Sequence, residues 1–113
     1  MRMSEAGIAL LRELEGCVPH VYNDVAGLPT IGVGHLLSKD ELMSGKLWLE
    51  NAVLSIDYRQ GLTDDQIDLV LREDLRWAEQ VISTQVTVLL TQAQYDALVC
   101  FCFNVGAGAF RKS

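Results

Sequence analysis

Residues 91–104 predict a helix that is apolar on nearly every side. Thr91-Gln92-Ala93-Gln94 has the pattern of a capping box, which opens a helix, and the run from Ala97 to Phe103 then contains no charged or amide side chain. A helix of this kind needs packing partners all around it, yet only residues 105–113 follow it. We therefore expect this chain to pair with a second copy through the helix Ala93–Val105, or to be the ordered part of a longer protein whose further helices cover it.

Composition places the chain among globular proteins. With 113 residues, half of them apolar, it has room for one domain and is not a disordered or low-complexity chain. No apolar run approaches the ~20 residues that a membrane span needs, and the start of the chain (Arg2, Ser4, Glu5) lacks the apolar core of a secretory signal. We expect a protein without a membrane span or a signal peptide.

Charge and cysteine content argue against a nucleic-acid partner, a disulfide framework and a zinc site. Nine basic residues against fifteen acidic ones give a net charge of −6 with no basic run, which argues against a nucleic-acid partner. Cys17, Cys100 and Cys102 are an odd number without a neighbouring histidine pair, so we interpret them as buried thiols of a reducing compartment. No metal site and no cofactor are predicted.

Periodicity and capping signals predict an α+β fold. Short apolar alternations indicate two hairpins, one with a turn around residues 26–29, and Gly32 and Gly34 in its second strand suggest a close approach of another backbone or a ligand. The predicted helices cover residues 5–14 (capped by Ser4, ended by Gly16), 39–44 (a capping box at Ser38), 63–82 (a box at Thr63) and 91–104, and the hairpins cover residues 21–34 and 46–58.

Two acidic residues and a hydroxyl flank the first predicted hairpin. Glu15 ends the first helix, Asp24 lies nine residues later beside the turn, and Thr30 starts the returning strand. Hydrolysis of a glycosidic bond needs one protonated carboxyl group to give a proton to the leaving oxygen, and a second, ionised one to activate water or to attack. From the residues alone, the physics permits this chemistry but does not select it, and two solvated surface acids are the more common explanation of such a pair.

The spacing of Glu15, Asp24 and Thr30 resembles the catalytic signature of the phage-type lysozymes, glycoside hydrolase family 24. The resemblance extends over nearly the whole chain, with residues 46–61 as its least typical part. It is carried by Glu15-Gly16, Tyr22-Asn23-Asp24, Gly27, the segment from Thr30 to His35, Leu90-Thr91-Gln92, Tyr95-Asp96-Ala97-Leu98 and Phe103-Asn104-Val105-Gly106.

The resemblance implies an endolysin that cleaves the β-1,4 bond between N-acetylmuramic acid and N-acetylglucosamine in peptidoglycan. It implies Glu15 as the general acid, Asp24 as the residue that holds or activates water, Thr30 as a residue that helps to place this water, and inversion at the sugar carbon. Leu36 and Phe103 fall where the family lines its substrate groove. Such an enzyme is made in the host bacterial cytoplasm and acts on the periplasmic cell wall.

The implied fold is lysozyme-like, a single domain over residues 1–113. Within it, we expect an N-terminal active-site lobe (1–62), a connecting helix (63–84) and the start of a helical C-terminal lobe (85–113). Members of the family normally continue into further helices, so we expect this lobe to be truncated. For His35 we expect a structural role, either supporting the sheet or pairing with an acid of another element.

Two other functions remain open from the sequence. The first is a catalytically impaired prophage remnant or fragment that binds peptidoglycan or a protein partner. The truncated lobe favours it, whereas the intact Glu15, Asp24 and Thr30 favour an enzyme. The second is a lytic transglycosylase, which needs a single catalytic glutamate, so that Asp24 and Thr30 argue against it.

Overall fold

A computed structural model describes the backbone of residues 1–112 and the side chains of residues 1–106. Within these residues the fold is α+β, as predicted, with four helices and five strands. Along the chain the elements are α1 (Glu5–Glu15), β1 (Val18–Asn23), β2 (Pro29–Gly32), β3 (His35–Leu36), α2 (Lys39–Ser44), β4 (Lys46–Leu49), β5 (Leu54–Asp57), α3 (Asp64–Gln85) and α4 (Gln92–Lys112). None of the helices within the described residues is long and apolar enough to cross a membrane.

Two compact units share these elements. The sheet unit is the continuous segment Arg12–Asp74, and the helical unit combines Met1–Leu11 with the chain from Leu75 onward. Each unit has its own buried apolar residues. In the sheet unit they are Ile31, Val33, Leu37, Leu47, Leu49, Ile56, Tyr58, Leu62, Ile67, Val70 and Leu71, and in the helical unit Met3, Ile8, Leu11, Leu75, Ala78, Ile82, Tyr95, Val99 and Phe103. The division into residues 1–62, 63–84 and 85–113 stays a prediction.

The first sheet has three antiparallel strands in the order β1-β2-β3, whereas the sequence analysis predicted two. The predicted second strand, residues 30–34, turns at Gly32 and Gly34, which both have positive φ (68° and 71°), and the chain returns as β3. A Cβ atom at Gly32 would meet its nearest neighbours only at 4.0 Å. The interpretation that another element closely approaches this glycine was therefore wrong, because the turn itself requires the left-handed backbone, whereas the approach of a ligand stays a prediction.

The predicted helix starts follow local capping signals closely. At Ser38, Thr63 and Thr91 the hydroxyl accepts the backbone N–H three residues on, and the Glu or Gln at that position accepts the N–H of the capping residue. Ser4 likewise accepts the N–H of Gly7. Each capping box satisfies two backbone donors that the first helical turn leaves without a partner. These signals lie within four residues, which is why the sequence reveals them.

The second hairpin joins β4 to β5 in the predicted period-two pattern. Lys46 pairs with Asp57, Leu47 with Ile56, Trp48 with Ser55 and Leu49 with Leu54. Leu47, Leu49 and Ile56 are buried, while Lys46, Trp48 and Asp57 are exposed. The hairpin is therefore a two-stranded sheet with an apolar inner face and a mostly polar outer face.

Helix α4 buries more of its apolar surface than we expected from the sequence. Tyr95, Val99 and Phe103 follow one another at four-residue spacing and are at most 9 % exposed. Phe101 remains 68 % exposed and Val105 54 % exposed. The side that carries Val99 and Phe103 is therefore covered, and the uncovered apolar surface is a narrower stripe than the sequence predicts. The predicted end of this helix at Asn104 was also too early, since the backbone stays helical to Lys112.

Candidate active site

Glu15 is the last residue of α1. Gly16 follows it in the left-handed conformation (φ 84°) and donates its N–H to the carbonyl of Arg12, which ends the helix there. Arg12 donates to Cys17 Sγ at 3.3 Å and pairs with Asp64 Oδ1 at 2.7 Å, so the turn after Glu15 is fixed to the start of α3. The Glu15 side chain is exposed at the C-terminal end of α1.

Asp24 organises the turn between β1 and β2. Its Oδ1 accepts the N–H groups of Ala26 and Leu28, both at 2.9 Å, and its own N–H donates to the carbonyl of Leu28. Gly27, with φ of 80°, closes the turn by donating to the Asp24 carbonyl. The half-buried carboxylate of Asp24 is therefore held by the backbone of its own turn.

Thr30 shares an anchor with Asp24. Its side chain is completely buried, and its hydroxyl donates to the carbonyl of Leu28 at 2.9 Å. This is the carbonyl that also accepts the Asp24 N–H. Asp24 and Thr30, six residues apart in sequence, are thus brought together through Leu28.

Thr30 also lies in the middle of a row across the three-stranded sheet. Its neighbours are Tyr22 on β1 and Leu36 on β3, and directly opposed residues of antiparallel strands project from the same face. Leu36, which we predicted to line the substrate groove, therefore shares a sheet face with Thr30. Tyr22 is half-buried and was not among the predicted site residues, although the strand pairing around the turn could have indicated it.

Phe103, the other predicted substrate-binding residue, belongs to the helical unit. Only 9 % of its surface is exposed. Glu15, Asp24, Thr30 and Leu36 all belong to the sheet unit, so the sequence prediction has four of its five residues in one compact segment. No group of three His, Cys, Asp or Glu side chains among the described residues is arranged to hold a metal ion.

His35 pairs with two carboxylates. Its Nδ1 lies 2.8 Å from Asp74 Oδ2 on α3, and its Nε2 lies 3.0 Å from Glu41 Oε2 on α2. Burial alone would lower the pKa of His35, but the hydrogen bonds with Asp74 and Glu41 outweigh it and raise this pKa to about 10. In return, the pKa of Glu41 is lowered, since the bond to His35 and the N–H of Ser38 outweigh the effect of burial. The predicted pairing of His35 with an acid of another element is confirmed, and it involves two elements.

Comparisons with known proteins decide the family. The phage lysozyme profile matches residues 12–113. The chain belongs to the phage lysozyme family. The endolysin of Salmonella phage P22 is 40 % identical over 113 residues, which are all of this chain and 69 % of that protein.

Solved structures agree with this assignment. A mutant of P22 lysozyme superposes with a TM-score of 0.72 at 39 % identity, covering 100 % of this chain and 69 % of that one. The muramidase domain of SpmX from Asticaccaulis excentricus superposes with a TM-score of 0.69 at 31 % identity, covering 99 % and 65 %. The chain thus spans about two thirds of the length of these relatives. The predicted lysozyme-like fold and the glycoside hydrolase class are confirmed.

The geometry of the β1–β2 turn predicts different results for two substitutions of Asp24. Asparagine keeps an Oδ1 that accepts from Ala26 and Leu28, so Asp24→Asn should retain more of the parental stability in urea than Asp24→Ala does. Alanine removes both bonds, and Asp24→Ala should lose about 1–3 kcal/mol. Equal stability of the two variants would contradict the role assigned to Oδ1.

The paired His35 predicts a pH dependence of stability. Because the pKa of His35 is raised from 6.5 to about 10 on folding, its contribution is complete below pH 6.5 and is lost as the pH rises toward 10. Because the pKa of Glu41 is lowered, its contribution is complete above pH 4.5 and is lost at lower pH. The free energy of unfolding in urea should therefore be highest between about pH 4.5 and 6.5 and fall by a few kcal/mol by pH 9.

A matched pair of variants tests the source of this slope. His35→Gln removes the titrating ring and should flatten the profile above pH 6.5. Glu41→Gln retains an N3 side chain that can accept from Ser38, so it should reduce the slope while α2 stays capped. A slope that persists in His35→Gln would show that other groups produce it.

Proposed function

We propose that this phage lysozyme-family chain is an endolysin-type muramidase that hydrolyses the β-1,4 bond between N-acetylmuramic acid and N-acetylglucosamine in peptidoglycan. Family membership supports a muramidase role over that of a non-catalytic remnant. The observation that carries the assignment of residues is the β1–β2 turn. In this turn the carbonyl of Leu28 accepts both the backbone N–H of Asp24 and the hydroxyl of Thr30. Strand β1 connects the turn to the helix that ends in Glu15.

Glu15 acts as the general acid. Its exposed position at the end of α1 lets the carboxyl group reach the glycosidic oxygen of a bound polysaccharide. When the bond between the sugar carbon and this oxygen breaks, the proton of Glu15 passes to the leaving oxygen.

Asp24 supplies the second carboxylate. Because the turn amides hold its Oδ1, the carboxylate keeps one orientation while it accepts a proton from the attacking water. Thr30 is completely buried and donates its proton to the Leu28 carbonyl, so it helps to place this water by holding the turn that carries Asp24. Attack on the face opposite the leaving group gives inversion.

Leu36 and Phe103 bind the sugar chain in this proposal. Leu36 lies beside Thr30 on the sheet, which supports a contact with the substrate near the bond that breaks. In a phage-infected cell, the enzyme is made in the host cytoplasm and reaches the cell wall in the periplasm, where it lyses the host.

Replacement of the acid tests the mechanism most directly. Glu15→Gln keeps the size of the side chain but removes the proton that the leaving oxygen needs, so lysis of chloroform-permeabilised Gram-negative cells should fall by about two to four orders of magnitude. The fall in turbidity at 600 nm provides the measurement.

Glu13→Gln is the matched control, because Glu13 is an exposed glutamate of the same helix turn. This variant should lyse cells at the parental rate. Parental activity of Glu15→Gln would contradict the assignment of Glu15, and an anhydro sugar among the products would indicate a transglycosylase instead.

We also propose that two copies of the chain associate through the helix Ala93–Val105. Phe101 and Val105 are four residues apart on α4 and both are exposed, which leaves an apolar stripe on one side of the helix. Light scattering at tens of micromolar should give a dimer for the parent and a monomer for Phe101→Glu. A folded parental monomer at this concentration would contradict the proposal.

A further inference from the structure

Trp48 is exposed in the second hairpin, the part of the chain that is least typical of the family. The indole is 60 % exposed, although tryptophan is among the side chains that gain most from burial. It lies on the outer face of β4–β5, directly opposite Ser55. The next pair on this same face is Lys46 with Asp57. The three neighbours are polar and exposed, so this face carries one aromatic surface surrounded by a hydroxyl, an ammonium and a carboxylate.

The hairpin that carries Trp48 is held by buried residues on its inner face and by hydrogen bonds at its turn. Leu47, Leu49 and Ile56 are at most 3 % exposed. At the turn, the backbone N–H of Asn51 donates to Glu73 Oε1 of α3 at 2.9 Å, and the side-chain amide of Asn51 donates to the other oxygen of this carboxylate. Because these contacts hold the inner face and the turn, the outer face is a preorganised surface.

A polar recess continues this outer face at the end of β5. Asp57 Oδ1 accepts from the backbone N–H and from Nε of Arg59, both at 3.0 Å, which holds the guanidinium beside the hairpin. Asp57, Arg59 and Gln60 line a cavity of about 310 Å³, which is at the lower end of the range for small-molecule sites. The chain then runs beside β1, where Leu62 donates to the carbonyl of Pro19. The backbone that follows the recess is therefore hydrogen-bonded to β1, the strand that leads to Asp24.

An aromatic face with hydrogen-bonding groups around it fits a sugar ring. The C–H bonds on one face of a pyranose carry partial positive charge and pack on the negative face of an indole, while the ring hydroxyls and acetamido group need polar partners at the edge. Lys46 and Arg59 are two exposed cations in this part of the chain, where Glu50 and Asp57 balance their charge, and Arg59 stays 64 % exposed beside Asp57. An exposed guanidinium of this kind complements a carboxylate of a peptidoglycan stem peptide at short range.

We propose that the outer face of the β4–β5 hairpin, centred on Trp48 and bordered by Arg59, is an additional contact surface for the peptidoglycan glycan strand. A sugar ring packs on Trp48, and a stem-peptide carboxylate lies near Arg59. This inference rests on the proposed muramidase function, and it assigns to the hairpin a role in holding the polymer that is separate from bond cleavage.

Binding to intact cell wall tests this surface. In the Glu15→Gln background, which leaves the polymer uncut, Trp48→Ala should weaken co-sedimentation with purified sacculi about tenfold, and Trp48→Phe should restore part of the affinity. The matched control is Leu89→Ala, since Leu89 is a fully exposed apolar side chain of the helical unit. Its sacculus binding should not change. Circular dichroism should show that Trp48→Ala melts like the parent, because the indole is largely outside the core.

Kinetics with Glu15 intact separate binding from chemistry. Trp48→Ala should raise the apparent KM for sacculi about tenfold and leave kcat unchanged. Unchanged binding and KM would overturn the proposal. So would Trp48-dependent binding to phosphatidylglycerol vesicles with sacculus binding unaffected, since this face would then contact a membrane. The failure of the muramidase proposal has a different signature, namely full activity of Glu15→Gln.

Discussion

The imidazole of His35 connects β3 to α2 and α3, because each of its two nitrogens faces a carboxylate. The strand β3 has only two residues and the helix α2 only six, so neither is stable by itself. Glu41 makes three of the contacts that hold them: its side chain accepts the N–H of Ser38 at the start of α2 and pairs with His35 of β3, and its carbonyl accepts the hydroxyl of Tyr58, which follows β5. Since β3 pairs with β2, this small network holds the edge of the sheet on which Thr30 lies.

Local hydrogen bonds of the β1–β2 turn determine the positions of two of the proposed catalytic residues, Asp24 and Thr30. Three bonds involve the backbone of Leu28: its N–H donates to Asp24 Oδ1, and its carbonyl accepts both the Asp24 N–H and the Thr30 hydroxyl. Any movement of Leu28 would therefore displace the carboxylate and the hydroxyl together. The turn holds both groups in fixed positions, and catalysis benefits when such groups need no reorganisation at the moment of reaction.

Sequence distance separates what could be predicted from what could not. The capping boxes at Ser38, Thr63 and Thr91 lie within four residues, and the alternation of Leu47 and Leu49 has a period of two, so the sequence reveals them. The proposed catalytic residues were located because the spacing of Glu15, Asp24 and Thr30 resembles the signature of the phage-type lysozymes. The turn at Gly32 and Gly34 was missed because glycine in a strand has two explanations, and only the backbone angles distinguish them. The partner of His35 across 39 residues, and the burial of Val99 and Phe103, depend on tertiary packing that no local pattern encodes.

The acidic charge of this lysozyme-family chain changes how it can be retained on a cell wall. Long-range attraction favours a basic protein on an anionic polymer, and a chain of net charge −6 gains nothing from it. Retention must then come from contacts at short range, in which apolar stacking, hydrogen bonds and single well-placed cations act without help from the overall field. Such contacts depend on fixed surfaces, because an ordered side chain loses little entropy on binding. A hairpin held on its inner face by Leu47, Leu49 and Ile56 meets this requirement, whereas an exposed loop would not.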